Sequence, residues 1–226
     1  MNSVSPSPPS VQANGAGAQG SAARSGLYSL LARCLVVPDE EFHSSLTDGA
    51  LAREFSEIIS GLPYPLAGPE LGPDPPGFIE LQSGYIAFFD VGFKGPACPL
   101  YEGSFRNDRG RKAVMEDLLR FYHHFGIKLS DSVRELPDYL GAELEFMHYL
   151  SFIETGIRAR GAEGDGTQDL MRAQRDFLER HLAAWAPDLA RRAEKRGAPY
   201  CYCPLLSFLS AFVRADLMHL KENLEC

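Results

Sequence analysis

The residues best placed for chemistry are two glutamates on the apolar side of one predicted helix. In the stretch PDYLGAELEFMHYLSFIE, residues 137–154, a helical wheel puts Glu143 and Glu154 among leucine, phenylalanine and methionine, whereas Glu145 points away. A buried carboxylate is costly unless it is paired or hydrogen-bonded. Either these glutamates have internal partners, with His181 on the apolar side of its own helix as a candidate, or they line a cleft that receives a cation.

Two further arrangements offer less specific chemistry. A buried Glu–His pair is a pattern of acid–base catalysis, so a small helical metal-binding protein or acid–base enzyme using Glu143, Glu154 and His181 stays open as an alternative. Cys201-Tyr-Cys203 supplies two thiolates, half of a zinc site, but no second Cys/His pair stands at ligand spacing.

The remaining motifs indicate neither a metal nor a nucleotide. His123 and His124 are neighbours on the polar side of their helix, about 100° apart, so we expect solvated rings. The sequence has no phosphate-binding loop, no GxGxxG after a strand and no GxSxG turn. We therefore predict no catalytic residues, no metal ligands, no cofactor and no enzymatic activity.

Composition restricts the class of protein. The chain has 226 residues, 45% of them apolar, and a net charge of −8, which argues against a nucleic-acid partner. We find no apolar run of about 18 residues and no secretory signal, so we expect a cytoplasmic protein without direct membrane insertion. The five cysteines favour reduced thiols over a disulfide framework.

The acidic residues are unevenly distributed. Residues 38–90, here called the acidic segment, hold ten carboxylates and one basic residue, Arg53, for a net charge of −9. Such a segment either aids solubility as a solvated face or steers a basic peptide toward the protein. Charge alone leaves both interpretations open.

Helical periodicity predicts the elements that position these residues. We expect a disordered tail over 1–23 and one all-α domain over 24–226, with about eight to ten helices beginning at Ser25. Two long Pro/Gly-rich loops are predicted at 63–77 and 95–110. Thr167 is a candidate N-cap, and Pro187 is expected to start a new short helix.

Three blocks of the sequence resemble a known family. GYIAFFDVGFKGPACPLYEGSFRN (the loop block), LPDYLGAELEFMHYLSF (the central block) and DFLERHLAAWAPDL are similar, in order and spacing, to those of TorD/DmsD/NarJ-type molybdoenzyme maturation chaperones, also called redox enzyme maturation proteins. The resemblance covers residues 25–220 and implies an all-helical cytoplasmic chaperone. It would bind the twin-arginine-type N-terminal signal segment of a molybdopterin oxidoreductase catalytic subunit, and so delay export until cofactor insertion and assembly.

The resemblance also implies a peptide-binding region. An arginine pair followed by an apolar stretch needs carboxylates beside an apolar groove. The residues carried over from the family, together with the central-block signature, are Phe88, Phe89, Pro99, Leu100, Tyr101, Glu102, Asp138, Tyr139, Glu143 and Phe146. Tyr139 and Leu100 stand where relatives often have histidine and tryptophan. Monomer and dimer both stay open, and so does a role as a scaffold subunit of a larger complex.

Overall fold

Helices make up the architecture of the described residues. The structure, a computed structural model, describes residues 11–93, 95–128, 136–162 and 164–225. Its α-helices within these ranges are α1 (Val11–Cys34), α2 (Glu40–Thr47), α3 (Ala50–Ser60), α4 (Phe78–Tyr85), α5 (Arg111–His124), α6 (Leu140–Ala159), α7 (Asp165–Arg180), α8 (Leu182–Arg196) and α9 (Tyr202–Glu225). A π-helical turn, Ile86–Asp90, continues α4, and a 3-10 turn, Glu102–Ser104, precedes α5. The predicted all-α class is confirmed.

The core is built around α6. α1 runs along α6, α7 packs on both α6 and α9, and α8 packs on α9. Phe146 of α6 meets Phe121 and Tyr122 of α5 at ring-centroid distances of 6.3 and 5.0 Å. Trp185 of α8 and Phe212 of α9 are fully buried, and burying one such side chain stabilises the fold by about 1.5–3 kcal/mol. α1, α5 and α7 pack around α6, and clefts remain in the grooves between α6 and α5 and between α6 and α1.

The first helix begins earlier than the sequence predicted. α1 starts at Val11, so the prediction of disorder up to residue 23, with helix only from Ser25, is wrong for residues 11–23; residues 1–10 lie outside the described ranges. The reason is tertiary packing, which outweighs the Gly/Ser/Ala composition. Ser21 is 3% exposed, and its hydroxyl accepts a hydrogen bond from Thr155 of α6 at 3.1 Å.

The junction between α7 and α8 also differs from the prediction. Pro187 lies inside α8 rather than at the start of a helix, and the chain breaks at His181, whose φ and ψ are −123° and −103°. Pro187 is the sixth residue of α8, so its ring removes the hydrogen bond that an amide there would donate to the Ala183 carbonyl, and the helix continues in spite of it. Thr167 is likewise not an N-cap, because α7 begins at Asp165 after Gly164. The break turns the His181 imidazole into the core, where it is fully buried.

α9 resembles a membrane span in composition alone. Within the described part of the chain it is the one helix long and apolar enough to cross a bilayer. Leu209, Phe212 and Val213 are fully buried, and Asp216 accepts hydrogen bonds from Arg24 in the core. A helix with these contacts is a core helix of the bundle.

Both predicted loops are irregular, and the first is fixed to the helices at three points. The Tyr64 hydroxyl donates to Asp216 at 2.9 Å, and the Tyr200 hydroxyl donates to the Gly72 carbonyl at 3.1 Å. His43 Nε2 lies 2.9 Å from the Pro76 carbonyl oxygen. These contacts hold residues 63–77 against the bundle.

Candidate functional site

The loop block and the central block meet in the structure. The Leu140 amide donates to the Leu100 carbonyl at 2.9 Å, and the Glu102 amide donates to the Asp138 carbonyl at 2.8 Å. Tyr101 and Tyr139 pair between these two bonds as an isolated antiparallel bridge. Segments that lie far apart in the sequence therefore form one junction at the start of α6.

Asp138 ties this junction together from the inside. Its carboxylate is 0% exposed, accepts the Gly103 amide at 3.2 Å and pairs with Arg111 Nε at 3.2 Å. A Cβ at position 103 would come within 2.5 Å of Arg111 Cγ and 2.9 Å of Asp138 Oδ2, so only glycine fits. The Asp138 carboxylate is therefore already bonded to groups of its own chain.

Glu102 and His181 form a second buried centre. Glu102 is 0% exposed, and its two oxygens accept from Arg106 at 2.7 Å and from His181 Nδ1 at 2.7 Å. On the other side of the imidazole, Nε2 lies 3.5 Å from Asp117 Oδ2. Burial would raise the pKa of Asp117, but the Arg109 hydrogen bond and the charges of Arg180 and His181 outweigh it and lower that pKa. Glu102 is thus bonded inside the core through both oxygens, whereas His181 Nε2 has no hydrogen-bond partner among the described residues.

Glu143 is buried without a cation. Its Oε2 accepts the Trp185 indole N–H at 3.2 Å, and its Oε1 has no partner in the described residues. Burial, followed by the nearby charge of Glu102, raises the pKa of Glu143 well above its ordinary value. A neutral carboxylic acid in this position packs and hydrogen-bonds, but it has no charge with which to attract a cationic guest.

Glu154 belongs to a separate ionic centre between α1, α6, α7 and α9. It accepts from Arg24 at 2.8 Å, from Gln174 at 2.9 Å and from Arg158 at 2.7 Å. Arg24 also bonds Asp216, and its side chain is 1% exposed. Burial would raise the pKa of Glu154, but the charge of Arg24 and these hydrogen bonds lower it. Glu154 therefore has the internal partners that were one of its two predicted explanations.

The ten predicted peptide-binding residues divide by exposure. Three of them are half-buried at the surface: Pro99, Tyr101 and Tyr139. The other seven are buried: Phe88, Phe89, Leu100, Glu102, Asp138, Glu143 and Phe146. Most of the predicted residues therefore lie beneath the protein surface and not on it.

The exposed part of the junction is aromatic. The rings of Tyr101 and Tyr139 lie 5.5 Å apart, and the Arg111 guanidinium lies 5.4 Å from the Tyr101 centroid. The Tyr139 hydroxyl donates at 3.3 Å to the carbonyl of Leu35, the residue that follows α1. A Cβ at Gly141 would come within 2.7 Å of the Tyr139 ring, so the glycine lets this ring lie against α6.

Beyond Tyr139, three clefts follow one another across the surface. The apolar cleft, about 310 Å³ between α5 and α6, is lined by Tyr122, Ile127, Ala142, Glu145, Phe146 and Tyr149. The middle cleft, about 500 Å³ between α1 and α6, is lined by Ser29, Ala32, Arg33, Val36, Glu145 and His148. The acidic cleft, about 490 Å³ between α1, α2 and α3, includes Asp39, Glu41 and Glu54 beside Leu30, Phe42 and Leu51.

Shared residues join these clefts into one surface. Glu145 lines both the apolar and the middle cleft, and Arg33 and Val36 line both the middle and the acidic cleft. Tyr149 is 38% exposed and Val36 39% exposed, so apolar side chains face solvent along this path. We call it the three-cleft surface. It changes from aromatic and aliphatic at α5–α6 to carboxylate-rich at α2–α3.

The chain matches known proteins over most of its length. Residues 48–191 match the family model described as the nitrate reductase delta subunit. The selenate reductase assembly chaperone protein of Thauera selenatis is 39% identical over 74% of this chain and 90% of that protein. The perchlorate reductase assembly chaperone protein of Dechloromonas aromatica (strain RCB) is 33% identical over 90% and 91%. That of chlorate reductase from Ideonella dechloratans is 34% identical over 84% and 87%.

The chain belongs to this family. It is a TorD/NarJ-type member of the redox enzyme maturation proteins, and the resemblance inferred from the three sequence blocks is confirmed. The matched region contains both blocks of the junction and all of α6, whereas α1 and α9 lie outside it.

The three-cleft surface of this TorD/NarJ-type chain includes residues that sequence reasoning did not select. Glu145 and Tyr149 stand one helical turn apart, on the side of α6 that the wheel placed away from the core. An aromatic residue on that polar side was the available signal. Glu54 and Val36 carried no such signal, because only the folded chain brings the end of α1 beside α3.

The alternative metal or acid–base site finds no common location in this family member. Glu143, Glu154 and His181 are each bonded to a different partner, respectively Trp185, Arg24 and Glu102. Among the described residues, no group of three or more His, Cys, Asp and Glu side chains is arranged to bind a metal ion.

The cysteine pair and the adjacent histidines lie in separate environments. Cys201 is fully buried, and burial raises the pKa of its thiol to about 12, whereas Cys203 is half-buried. A buried thiol with this pKa stays protonated at neutral pH. His123 and His124 are exposed, as their polar helix face predicted.

Proposed function

We propose that this protein is a cytoplasmic maturation chaperone for the catalytic subunit of a molybdopterin oxidoreductase. It binds the N-terminal, twin-arginine-type segment of that subunit, protects it, and delays export until cofactor insertion and assembly are complete. The family match supports the chaperone role, and so do relatives named as assembly chaperones of selenate, perchlorate and chlorate reductases.

The observation that carries the peptide-binding part is the change of polarity along the three-cleft surface. An apolar stretch gains about 25 cal/mol for each Å² it buries, and the apolar cleft with Tyr149 offers it aromatic and aliphatic contacts. Guanidinium groups favour carboxylates that they can bond through two N–H groups. Asp39, Glu41 and Glu54 at the opposite end supply such acids.

The ten predicted residues take different parts in this proposal. Phe146 lines the apolar cleft, and Tyr139 borders the path to α1 through its bond to Leu35. Pro99 and Tyr101, both half-buried in the loop block, are assigned to peptide binding together with Tyr139, with which Tyr101 pairs. The seven buried residues act through the fold: Glu102 and Asp138 fix the junction on which the half-exposed tyrosines stand.

Calorimetric titration tests this function. The probe is a synthetic peptide from the N-terminus of a molybdopterin oxidoreductase catalytic subunit, with an arginine pair before an apolar stretch, here called the Arg-Arg peptide. We expect binding by the wild-type chain, and weaker binding when glutamine replaces both arginines. Tyr149→Ser should weaken binding about tenfold, because an apolar side chain is worth about 1.5 kcal/mol or more when buried.

A matched control separates the surface from general hydrophobicity. Met218 on α9 is 54% exposed and lines none of the three clefts, so Met218→Ser should leave the affinity unchanged. Far-UV circular dichroism should be native for both variants. Equal affinities for Tyr149→Ser and wild type would remove the apolar cleft from the site, and no binding of the Arg-Arg peptide by wild type would contradict the proposed function.

A further inference from the structure

One carboxylate of the acidic segment already binds an arginine. Glu54 Oε1 accepts from Arg33 Nη2 at 2.5 Å, an ion pair that joins α3 to α1. Among the described residues it is the only ion pair of the acidic segment, whose other nine carboxylates have no Lys or Arg partner within 4.0 Å there. The acidic cleft thus already receives a guanidinium group, and that group comes from the chain itself.

Arg33 lies where a bound peptide would have to pass. It lines both the middle and the acidic cleft, and its side chain is 59% exposed. Glu145 lines the middle cleft as well, at the end that leads to the apolar cleft. A peptide that runs from the apolar to the acidic cleft therefore crosses Arg33, and its own arginines meet a like charge there.

The Arg33–Glu54 pair is weak enough to exchange. Both side chains are exposed, 59% and 42%, and ion pairs of this kind contribute little to stability because water and salt screen them. The buried pair of Arg24 with Glu154 is different, since its side chains are 1% and 3% exposed. Replacing Arg33 at Glu54 by another guanidinium costs the fold little.

We propose that Glu54 is the carboxylate that accepts an arginine of the client peptide, and that Arg33 occupies this position in the free chaperone. The inference rests on the proposed function and adds the regulation of that site. The client arginine replaces Arg33 at Glu54, and Arg33 swings toward solvent or toward Glu145. Arg33 thereby lowers the affinity for any peptide whose arginine has to displace it from Glu54.

Neutralising each partner tests the exchange in opposite directions. Arg33→Gln frees Glu54 and removes the like charge, so the Arg-Arg peptide should bind about two- to fivefold more tightly. Glu54→Gln removes the acceptor, so binding should weaken by at least a similar factor. The same peptide with glutamine in place of both arginines should show a much smaller change in affinity with either variant. Binding is measured by titration at low salt with the full chain.

Arg53→Gln is the matched control, because it removes the same charge one residue from Glu54. Arg53 is exposed, lines none of the three clefts, and donates to the Asp48 carbonyl at 3.0 Å. If Arg53→Gln strengthens binding as much as Arg33→Gln, the effect is one of net charge and the exchange is excluded. Weaker binding or no change with Arg33→Gln also overturns it. Absence of binding by wild type instead contradicts the proposed function.

Discussion

The carboxylates in two regions of this molecule differ in burial and in ion pairing. Among the described residues from Glu102 to the end of α9, six carboxylates are buried, and five of them are paired with an arginine, as Glu154 is with Arg24 and Glu102 with Arg106. In the acidic segment, the acids are mostly exposed, and one described ion pair, Arg33–Glu54, neutralises one of them. The first set connects helices, whereas the second set leaves a negative field at the surface.

This difference bears on the acids that the sequence pattern selected first, Glu143 and Glu154. A carboxylate on an apolar helix face attracts attention because its burial is costly, and the cost is offset by an arginine elsewhere in the chain. A carboxylate that is to bind another molecule has to be solvated in the free protein. We therefore expect mutations in the first set to change stability and mutations in the second set to change binding.

The largest effect is expected at the buried arginine. Arg24→Gln leaves Asp216 and Glu154 without their main cation inside the core, which should cost about 3–5 kcal/mol of unfolding free energy. Urea denaturation followed by circular dichroism measures it. Arg172→Gln, which breaks the exposed pair with Asp169, should cost less than about 1 kcal/mol. Similar losses for both variants would contradict the distinction between buried and exposed carboxylates.

How far the sequence predicted the fold depends on the kind of signal. Apolar periodicity located α2, α3, α5, α6 and α9 close to their observed ends, because each helix buries one face. It missed the start of α1, where alanines, glycines and Ser21 give no amphipathic pattern and contact with α6 supplies the stability. It also placed the α7–α8 break at Pro187, whereas the tertiary position of His181 determines it.

The candidate site was predictable in part. The family blocks brought together Tyr101 and Tyr139, which the structure pairs as a bridge. The exposure of single residues was not readable from those blocks, because a fixed residue type serves the fold as well as a guest. Asp138 illustrates this, since its carboxylate bonds Gly103 and Arg111 and is fully buried. Glu54 and Arg33 become neighbours only when α1 packs on α3.

A smaller effect is expected at the buried acid that has no cation. Because its raised pKa keeps Glu143 neutral in the fold, Glu143→Gln preserves charge and shape and should cost less than about 1 kcal/mol at neutral pH. Glu102→Gln removes the charge that bonds Arg106 and His181 and should cost about 1–3 kcal/mol. Equal losses in urea denaturation would show that Glu143 is ionised and belongs with the paired acids.

The pH dependence sharpens the same test. The pKa of Glu143 is raised by folding, so the stability that its neutral form contributes is complete below the unfolded pKa, near 4.5, and is lost as pH rises toward the folded pKa. Glutamine does not titrate. The unfolding free energy of wild type should therefore fall relative to that of Glu143→Gln as pH rises above about 4.5. A constant difference between pH 4 and pH 8 would contradict the raised pKa.

The smallest effect concerns the exposed acids that line no cleft. Glu57 and Glu70 belong to the acidic segment, are exposed, and touch none of the three clefts. Replacing both by glutamine should slow association of the Arg-Arg peptide about twofold at low salt and leave its dissociation rate unchanged, because distant charges steer encounter rather than hold the complex. The difference should vanish at about 0.5 M salt, where the screening length falls to a few ångströms.

Asp165→Asn with Glu222→Gln is the control, because it removes two exposed acids from α7 and α9. Stopped-flow association rates equal to those of wild type would locate the steering in the acidic segment. An equal slowing by both pairs would mean that net charge acts alone, and the two regions of the molecule would then differ in stability but not in how they attract a basic peptide.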